Sequence, residues 1–595
     1  MKVLGLYFGQ CSSCAVFEDE KIIFASSEER FTGKKSDESY PLNSINNALK
    51  FCEINPKDLD KVVIASKALP WVSIVIRQYS NLSIKDHLFA MENYWRPKLA
   101  GKEHKSLVEL FKLKNNYDVF PFNEQLKNFG LPTIEHDDYS EKTAEKISEF
   151  YKKLICNHLN IEKSKIIHLD HHSCHAAYAL YGSPIRDDKT LVITADAHGD
   201  DLSGTISIYN KKENKIKRLK EYSDNDFRLG RIYRYTTLYL RMQPDEHEYK
   251  VMGLAPYYNG SKIKEVEQVF ESMQRLEELE FKFNNKIRNI YDYLEENLKS
   301  FRFDQIAAGL QSFTEKTLTK WIENAVCHFN SKSVVFSGGL SLNVKANMKI
   351  SQIPQIEKFF VCGGGGDLSL CMGSCYAYAE SRGLRSFPLE NLYLGIPCEY
   401  SQKELAKLAK GYKITKFENS EQIVKRILDG KIVAVCRGRA EMGPRALGNR
   451  SIIADPRMRQ NVEIINRKIK NRDFWMPFAP VILYEKQHEI IRNPKKNASP
   501  HMTIGFDTIN GKERIPAAVH QYDGTARPMI LKKEVNPLLW DILSKFYQIT
   551  KIPALINTSF NFHGEPIVNN INDAMRVFEQ SGLDTLLLDF HILDK

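Results

Sequence analysis

Val3-Leu-Gly-Leu-Tyr-Phe-Gly9 reads as a short apolar strand, and Leu191-Val-Ile-Thr-Ala-Asp196 has the same character much later in the chain. Two further strand patterns follow each stretch across polar turns: residues 14–18 and 22–26 after the first, and 205–209 and 216–222 after the second. In both copies a small polar loop, residues 9–13 and 196–200, follows the first strand. This duplication predicts an α/β fold with two half-domains facing one cleft.

Helical periodicity fills the chain between and after the two copies. The patterns cover residues 42–51 and 143–159, and then 263–279 and 304–329. Around residues 381–388 the sequence changes to a connection that contains Gly383, Pro388 and Pro397, and a shorter α/β unit follows. We therefore expect two domains, residues 1–384 and residues 385–595.

The composition is typical of a globular protein, and no membrane span is expected. The chain has 595 residues with 43% hydrophobic and 27% charged content, and it lacks a run of 18 apolar residues. The net charge of +10 is spread along the chain, which suits small anionic substrates and disfavours nucleic acid as a partner. Eleven cysteines without zinc-ribbon spacing favour a reduced, cytoplasmic location.

The stretch His168-Leu-Asp-His171-His-Ser-Cys-His175 is the sharpest local signal of a metal site. In a helix, His171 and His175 lie four residues apart on one face, and imidazole suits iron, zinc or manganese. Two histidines leave coordination positions open for carboxylates, and the candidates are Asp196, which ends a strand, and Asp367, which follows Gly363–Gly366. The alternative is a histidine cluster that caps a helix, and this reading is preferred for His172.

Two glycine-rich turns follow apolar strands and precede helices. They are Ser337-Gly338-Gly339-Leu-Ser-Leu-Asn343, after the strand at residues 333–336, and Gly363-Gly-Gly-Gly366, after the strand at 359–362. Such turns present backbone N–H groups to anions or nucleotides. The alternative is a tight turn that needs positive φ, and the sequence favours neither explanation.

The second domain contains a dense set of arginine, asparagine and hydroxyl side chains without an obvious nucleophile. Its segments are residues 438–451, 472–473, 523–527 and 557–561, together with His520. Arginine forms two parallel hydrogen bonds to phosphate or carboxylate, which lysine cannot reproduce. This composition predicts binding of an acyl phosphate and a triphosphate with electrostatic catalysis.

These motifs resemble the NodU/TobZ-type O-carbamoyltransferases across nearly the whole chain. The matching stretches are Glu28-Glu-Arg-Phe31, Asp170-His-His-Ser-Cys-His175, Glu248-Tyr-Lys-Val-Met-Gly-Leu-Ala-Pro256, Ser337-Gly-Gly-Leu-Ser-Leu-Asn343, Gly443-Pro-Arg-Ala-Leu-Gly-Asn-Arg-Ser451, Pro477-Phe-Ala-Pro480, Asp523-Gly-Thr-Ala-Arg527, Asn557-Thr-Ser-Phe-Asn561 and Gly564-Glu-Pro566. The resemblance implies a duplicated actin/sugar-kinase-like N-terminal domain, related to the tRNA threonylcarbamoyl-transfer enzymes, and a YrdC-like C-terminal domain.

The resemblance also implies an activity. The C-terminal domain would make carbamoyl adenylate from carbamoyl phosphate and ATP, and the N-terminal domain would pass the carbamoyl group to a hydroxyl of a sugar or natural product. Family metal ligands carry over to His171, His175, Asp196 and Asp367, with Fe²⁺, or Mn²⁺ or Zn²⁺ in its place, as the expected ion.

The expected site residues divide into two groups. Those assigned to chemistry are Gln10, Arg445, Arg450 and Arg527. Those assigned to the nucleotide, a Mg²⁺-ATP substrate, and to its partner carbamoyl phosphate are Ser12, Ser13, Gly199, Asp200, Gly338, Gly339, Asn343, Arg472, Asn557, Ser559 and Asn561.

Gln10 is the main departure from the family pattern, because members commonly carry a histidine there as part of a His-Asp pair. A histidine could take the proton of the acceptor hydroxyl, whereas glutamine can only orient that hydroxyl by hydrogen bonding. Two alternatives therefore stay open, a tRNA threonylcarbamoyl-type modification enzyme and an ATP-binding regulator that transfers nothing. The acceptor is expected near Trp71 to Arg96 or residues 224–242, and a homodimer is compatible with the sequence.

Overall fold

A computed structural model describes residues 1–67, 76, 82–115, 141–470 and 472–595. In these residues the first sheet consists of β1 (Lys2–Tyr7), β2 (Ser13–Glu18), β3 (Lys21–Ser27), β4 (Lys61–Ala65) and β5 (Ile166–Leu169), in the order β3-β2-β1-β4-β5. The second consists of β6 (Leu191–Gly199), β7 (Leu202–Asn210), β8 (Lys215–Ser223), β11 (Ser333–Ser337) and β12 (Lys358–Val361), in the order β8-β7-β6-β11-β12. Between β8 and β11 in sequence, β9 (Gln274–Glu277) pairs with β10 (Glu280–Phe283).

The two five-stranded sheets repeat one topology. In each, the first strand pairs antiparallel with the second, the second with the third, and the last two strands add in parallel on the other side. The duplication predicted from the sequence is therefore confirmed, and all six predicted strands of the two meanders are present.

The helices follow the predicted pattern with one exception. They are α1 (Glu29–Thr32), α2 (Leu42–Phe51), α3 (Ile84–Ala90), α4 (Arg96–Leu99), α5 (Leu107–Asn115), α6 (Glu141–Leu159), α7 (His171–Tyr181), α8 (Leu229–Tyr239), α9 (Glu248–Leu254), α10 (Lys262–Met273), α11 (Ile290–Leu298), α12 (Phe303–Phe329), α13 (Val344–Gln352), α14 (Leu370–Ser381), α15 (Gln402–Leu408), α16 (Glu421–Leu428), α17 (Gln460–Ile464), α18 (Gly511–Arg514), α19 (Pro537–Thr550) and α20 (Ile571–Gln580). The helix predicted over 263–279 ends at Met273, because residues 274–277 form β9.

Helices α7 and α14 pack against each other between the two sheets, α14 on β1 and α7 on β6. A Cβ at Gly373 of α14 would lie 2.1 Å from the carbonyl oxygen of Cys174 in α7, so glycine lets the two helices touch. This contact fixes α7, and with it the histidine pair, in the cleft between the half-domains.

The C-terminal unit is a mixed sheet covered by helices. In the part of the chain that the structure describes, its strands are β13 (Lys413–Lys416), β14 (Val433–Cys436), β15 (Arg450–Ala454), β16 (Ala479–Leu483), β17 (Met529–Leu531), β18 (Ala554–Ser559), β19 (Thr585–Leu587) and β20 (His591–Asp594), in the order β13-β20-β19-β14-β15-β18-β16-β17. The chain is thus of mixed α/β class. The domain boundary at 384/385 and the YrdC-like architecture stay predictions.

Arg30 joins the N-terminal and C-terminal parts of the chain. It is buried, and its guanidinium donates to the carbonyl oxygens of Gly443 at 2.9 Å and Ile567 at 3.1 Å. Glu28, in the same motif, accepts from the backbone N–H groups of Asn43 and Ser44 at the start of α2. The Glu28-Glu-Arg-Phe31 motif therefore has a structural role.

Two other expectations concern the membrane and the aromatic insert. Among the described residues, no helix combines the length and the apolar character that a membrane span needs. In the insert, Trp71 lies outside the described residues, Tyr94 is buried, and Arg96 forms ion pairs with Glu92, Asp292 and Glu295.

Candidate active site: a histidine-aspartate cluster beside an arginine-lined cavity

The predicted metal ligands lie together. One ligand atom from each of His171, His175, Asp196 and Asp367 falls within 4.8 Å of all the others. Nε2 of His175 is 3.2 Å from Oδ2 of Asp196 and 3.4 Å from Oδ1 of Asp367, and Nε2 of His171 is 3.6 Å from the same Asp367 oxygen. We call these four residues the tetrad. Helix spacing predicted the histidine pair, and the family resemblance implied the full set of four.

The local sequence explains how the two histidines come to face the carboxylates. Asp170 is the N-cap of α7, since its side chain accepts from the Ser173 N–H at 2.8 Å, so the helix begins at His171. Asp196 lies within β6 and accepts from the Gly339 N–H at 2.9 Å, while Asp367 follows the glycine run. The second glycine-rich turn thus positions a carboxylate.

Hydroxyl groups orient both imidazoles. Oγ of Ser337 donates to the carbonyl oxygen of Gly365, so it can only accept from Nδ1 of His175, 3.5 Å away. Nδ1 of His171 contacts Oγ of Ser66 at 2.9 Å. Both Nε2 atoms are buried without a hydrogen-bond partner. Two unpartnered imidazole nitrogens opposite two carboxylates form a donor set that fits a divalent metal of the iron or zinc type.

The electrostatics of the tetrad reflect its close packing. Burial lowers the pKa of His175, but the adjacent carboxylates of Asp196 and Asp367 outweigh this effect and raise that pKa to about 9. Burial raises the pKa of Asp367, and the two histidines reverse this and lower it to about 2. The carboxyl group of Asp367 is therefore ionised at neutral pH, as a metal ligand must be.

The neighbouring histidines do not belong to the tetrad. His172 is buried with Nδ1 bonded to Oγ1 of Thr194 at 2.8 Å and Nε2 to the carbonyl oxygen of Leu202 at 3.2 Å, which confirms the structural reading of this residue. His198 is half exposed and pairs with Asp224 at 3.0 Å.

A cavity of about 410 Å³ reaches both the tetrad and the arginine set. It is lined by eleven of the predicted site residues: Gln10, Asp196, Gly339, Asn343, Asp367, Arg445, Arg472, Arg527, Asn557, Ser559 and Asn561. The glycine run of the first unit meets the arginine-bearing loop directly, because a Cβ at Gly364 would lie 3.5 Å from Cα of Gly443. The two parts of the chain thus share one site.

Three guanidinium groups of this cavity, Arg445, Arg472 and Arg527, form what we call the triad. Among the described residues none of the three makes an ion pair. Nη2 of Arg472 and Nε of Arg527 are buried without a hydrogen-bond partner. Burial and the charges of Arg445 and Arg472 hold the pKa of Arg527 well below its usual range. Uncompensated, mutually repelling cations of this kind are stabilised by an anionic ligand.

Arg450 does not have the predicted catalytic position. It is fully buried outside the cavity lining, and its guanidinium donates to the carbonyl oxygens of Arg437 at 2.7 Å and Asn569 at 3.0 Å, among others. All three guanidinium nitrogens, Nε, Nη1 and Nη2, thus donate to main-chain carbonyl groups. Arg450 therefore supports the loop that carries Arg445.

Several predicted nucleotide contacts also lie outside the cavity lining: Ser12, Ser13, Gly199, Asp200 and Gly338. Ser13 donates to the Leu368 carbonyl, and Asp200 accepts from the His171 N–H at 2.8 Å. Gly338 has φ of 94°, and its Cβ would lie 2.2 Å from the Ala195 carbonyl oxygen, so glycine is needed there for the turn. The nucleotide role assigned to these five residues stays a prediction.

Sequence reasoning missed a buried lysine in the cavity wall. Nζ of Lys470 donates to Oγ of Ser559 at 3.1 Å and to Oδ1 of Asn561 at 2.5 Å. Burial, together with the charges of Arg472 and Lys35, holds its pKa well below the usual range. The pattern Asn557-Thr-Ser-Phe-Asn561 could have indicated that an ammonium group lies opposite these acceptors, but not which of many lysines supplies it.

Gln10 lies at the cavity, as expected from its place after β1. Its Nε2 donates to the Asp245 carbonyl oxygen at 2.5 Å, and Asp245 is held by two hydrogen bonds from Arg234. The Asp245 N–H donates to Glu248, and burial, with the nearby charge of Asp245, raises the pKa of Glu248 to about 8. The amide of Gln10 is thus anchored through its nitrogen to a loop that Arg234 holds in place, which suits orientation of a hydroxyl group.

Two family descriptions match this chain. The family description "Carbamoyltransferase N-terminus" matches residues 2–375, and "Carbamoyltransferase C-terminus" matches residues 424–595. The chain belongs to the carbamoyltransferase family.

Relatives and solved structures add the following. The uncharacterized protein MJ1051 of Methanocaldococcus jannaschii is 29% identical, over 100% of this chain and 99% of its own. Nodulation protein NolO of Bradyrhizobium diazoefficiens is 29% identical over 71% of this chain and 78% of its own. A full-length HypF structure in a phosphate- and nucleotide-bound form is 12% identical, with a TM-score of 0.32 over 65% of this chain and 47% of its own.

Proposed function

We propose that this carbamoyltransferase makes carbamoyl adenylate from carbamoyl phosphate and ATP and transfers the carbamoyl group to a hydroxyl of a sugar or natural product. The observation that supports it best is the single cavity that contains both the tetrad carboxylates and the unpaired triad. An activated acyl group made at one set of residues can then react at the other without crossing bulk water.

The triad and Lys470 suit the first half-reaction. Carbamoyl phosphate, ATP and one water yield carbamoyl adenylate, pyrophosphate and phosphate. The site must therefore hold these three phosphoryl-bearing products and neutralise their negative charge as the α-phosphate of ATP is attacked. Guanidinium groups held without carboxylate partners do this by electrostatic stabilisation. No side chain needs to act as a covalent nucleophile.

The tetrad and Gln10 suit the transfer step, in which the acceptor oxygen bonds to the carbamoyl carbon and AMP leaves. A metal held by His171, His175, Asp196 and Asp367, which we expect to be iron-like, would supply Lewis-acid charge beside the nucleotide phosphates. The rigid amide of Gln10 would orient the acceptor hydroxyl.

The test measures the two halves separately. The full-length protein is incubated with Fe²⁺, ATP and carbamoyl phosphate without acceptor, and pyrophosphate and carbamoyl adenylate are assayed. Arg445→Ala should abolish carbamoyl-phosphate-dependent pyrophosphate release. Arg457→Ala is the matched control, because Arg457 pairs with Asp455 outside the cavity.

His171→Ala should retain pyrophosphate release and lose transfer when acceptor hydroxyls are added. Absence of the adenylate under every metal, with ATP still bound, would refute the proposal and favour an ATP-binding regulator. Carbamoylation of tRNA in place of small hydroxyl acceptors would instead favour the modification enzyme.

A further inference from the structure

A second, smaller pocket of about 110 Å³ adjoins the main cavity. Tyr249, Phe478 and the triad line both spaces, so these side chains form the wall between them. None of the tetrad residues lines the smaller pocket. The triad is thus accessible from two sides, and only one of them leads to the metal ligands.

The charged side chains that line the small pocket are all basic. It includes the triad and Lys345, and among the described residues that line it there is no carboxylate. Lys345 is at the rim, where Nζ contacts Oδ2 of Asp523 at 2.6 Å and Oγ1 of Thr525 at 3.2 Å. Since the triad lacks ion pairs and offers unpartnered donors on Arg472 and Arg527, the pocket is suited to an anion.

The volume limits which anion can enter. One water occupies roughly 30 Å³ in the liquid, so the pocket takes only a few waters, the scale of one tetrahedral oxyanion. A nucleotide is too large for it. The main cavity, at about 410 Å³, has room for the larger substrate.

We propose that the small pocket is a separate subsite for inorganic phosphate, where the phosphate released from carbamoyl phosphate is held. The identity of the ligand rests on the proposed function, whereas the oxyanion chemistry rests on the pocket itself. The phosphate oxygens accept hydrogen bonds from one side of the triad while the nucleotide occupies the other. Phosphate can therefore bind and leave without displacing the nucleotide.

The chain offers residues that line the small pocket alone. Gly253 of α9 is one, and a Cβ there would be in ordinary contact with Met476 Sδ, 3.6 Å away. A leucine at this position would fill the space. Lys345 and Thr525 are likewise confined to the small pocket, whereas Lys35 lines only the main cavity.

The experiment is equilibrium dialysis of the full-length protein with ³²P-labelled inorganic phosphate. We expect one site, with affinity about tenfold weaker in Lys345→Gln, as for loss of one charge-assisted contact. Gly253→Leu should abolish binding and Lys35→Gln should leave it unchanged. If Gly253→Leu does not fold, judged by thermal denaturation, Thr525→Glu takes its place, because an added carboxylate should also abolish binding.

A saturating non-hydrolysable ATP analogue should leave the phosphate affinity unchanged. The proposal is overturned if phosphate does not bind, if Lys35→Gln weakens binding while Lys345→Gln does not, or if the analogue competes with phosphate. Pyrophosphate release is measured separately. If phosphate binds as expected but no pyrophosphate is released, the proposed function is refuted and the subsite stands. If pyrophosphate is released but phosphate does not bind as expected, the subsite is refuted and the proposed function stands.

Discussion

Gly199 offers a direct test of how the tetrad is held, because this glycine lies against the ring of His171. A Cβ added there would be 2.3 Å from Cδ2, 2.4 Å from Cγ and 2.5 Å from Nε2 of that imidazole. Ordinary contact needs about 3.5 Å, so Gly199→Ala must push the ring by about 1 Å. Ser66 bonds Nδ1 on the other side of the ring, so the displacement cannot be absorbed by a simple rotation.

A shift of this size exceeds the roughly 0.2 Å tolerance of metal–ligand distances. We therefore expect metal affinity to fall by about 10- to 100-fold, as when an outer partner of a liganding histidine is removed. The free energy of unfolding should fall by about 1–3 kcal/mol from overpacking. His171→Ala should lose the metal by a different route, since it removes a ligand.

The assay is metal content per protein after anaerobic dialysis against graded Fe²⁺, and separately against Zn²⁺. Gly253→Ala is the control, because its Cβ would make only ordinary contacts, the nearest at 3.6 Å, and it does not touch the tetrad. Unchanged metal affinity in Gly199→Ala, with unchanged thermal stability, would refute the account of the site given above.

Three further outcomes are expected. Arg450→Met should lower the free energy of unfolding by about 3 kcal/mol or more in denaturant titration, because it leaves buried carbonyl groups without donors; a loss of activity at unchanged stability would contradict this. Burial lowers the pKa of His501 to about 4, so the unfolded chain binds the extra proton between about pH 6.5 and 4, and stability should fall over that window by up to about 3 kcal/mol. His501→Gln should flatten this decline, and an equally steep decline would argue against a buried neutral imidazole. Gln10→Ala should slow transfer to acceptor by about tenfold while pyrophosphate release persists, whereas equal loss of both would place Gln10 in the first half-reaction.

Much of the fold could be predicted from the sequence, because strand and helix periodicity are local properties. The two meanders and the helix at residues 42–51 were predicted closely, since alternating apolar residues and turn chemistry act over a few positions. The helix expected to reach residue 279 ended at Met273 because the tertiary pairing of β9 with β10 overrode the helical pattern.

The histidine pair was likewise accessible from the sequence, since four-residue spacing in a helix is a local signal, and the family resemblance implied the two carboxylates that complete the tetrad. What only the tertiary structure decided is which polar residues face the same space. Arg445 and Arg450 are five positions apart in one motif, yet Arg445 lines the cavity, whereas the guanidinium of Arg450 donates its hydrogen bonds to main-chain carbonyl groups. Lys470 lines the cavity, whereas Ser12 and Ser13 do not, because long-range packing of the two parts of the chain determines which side chains face this space.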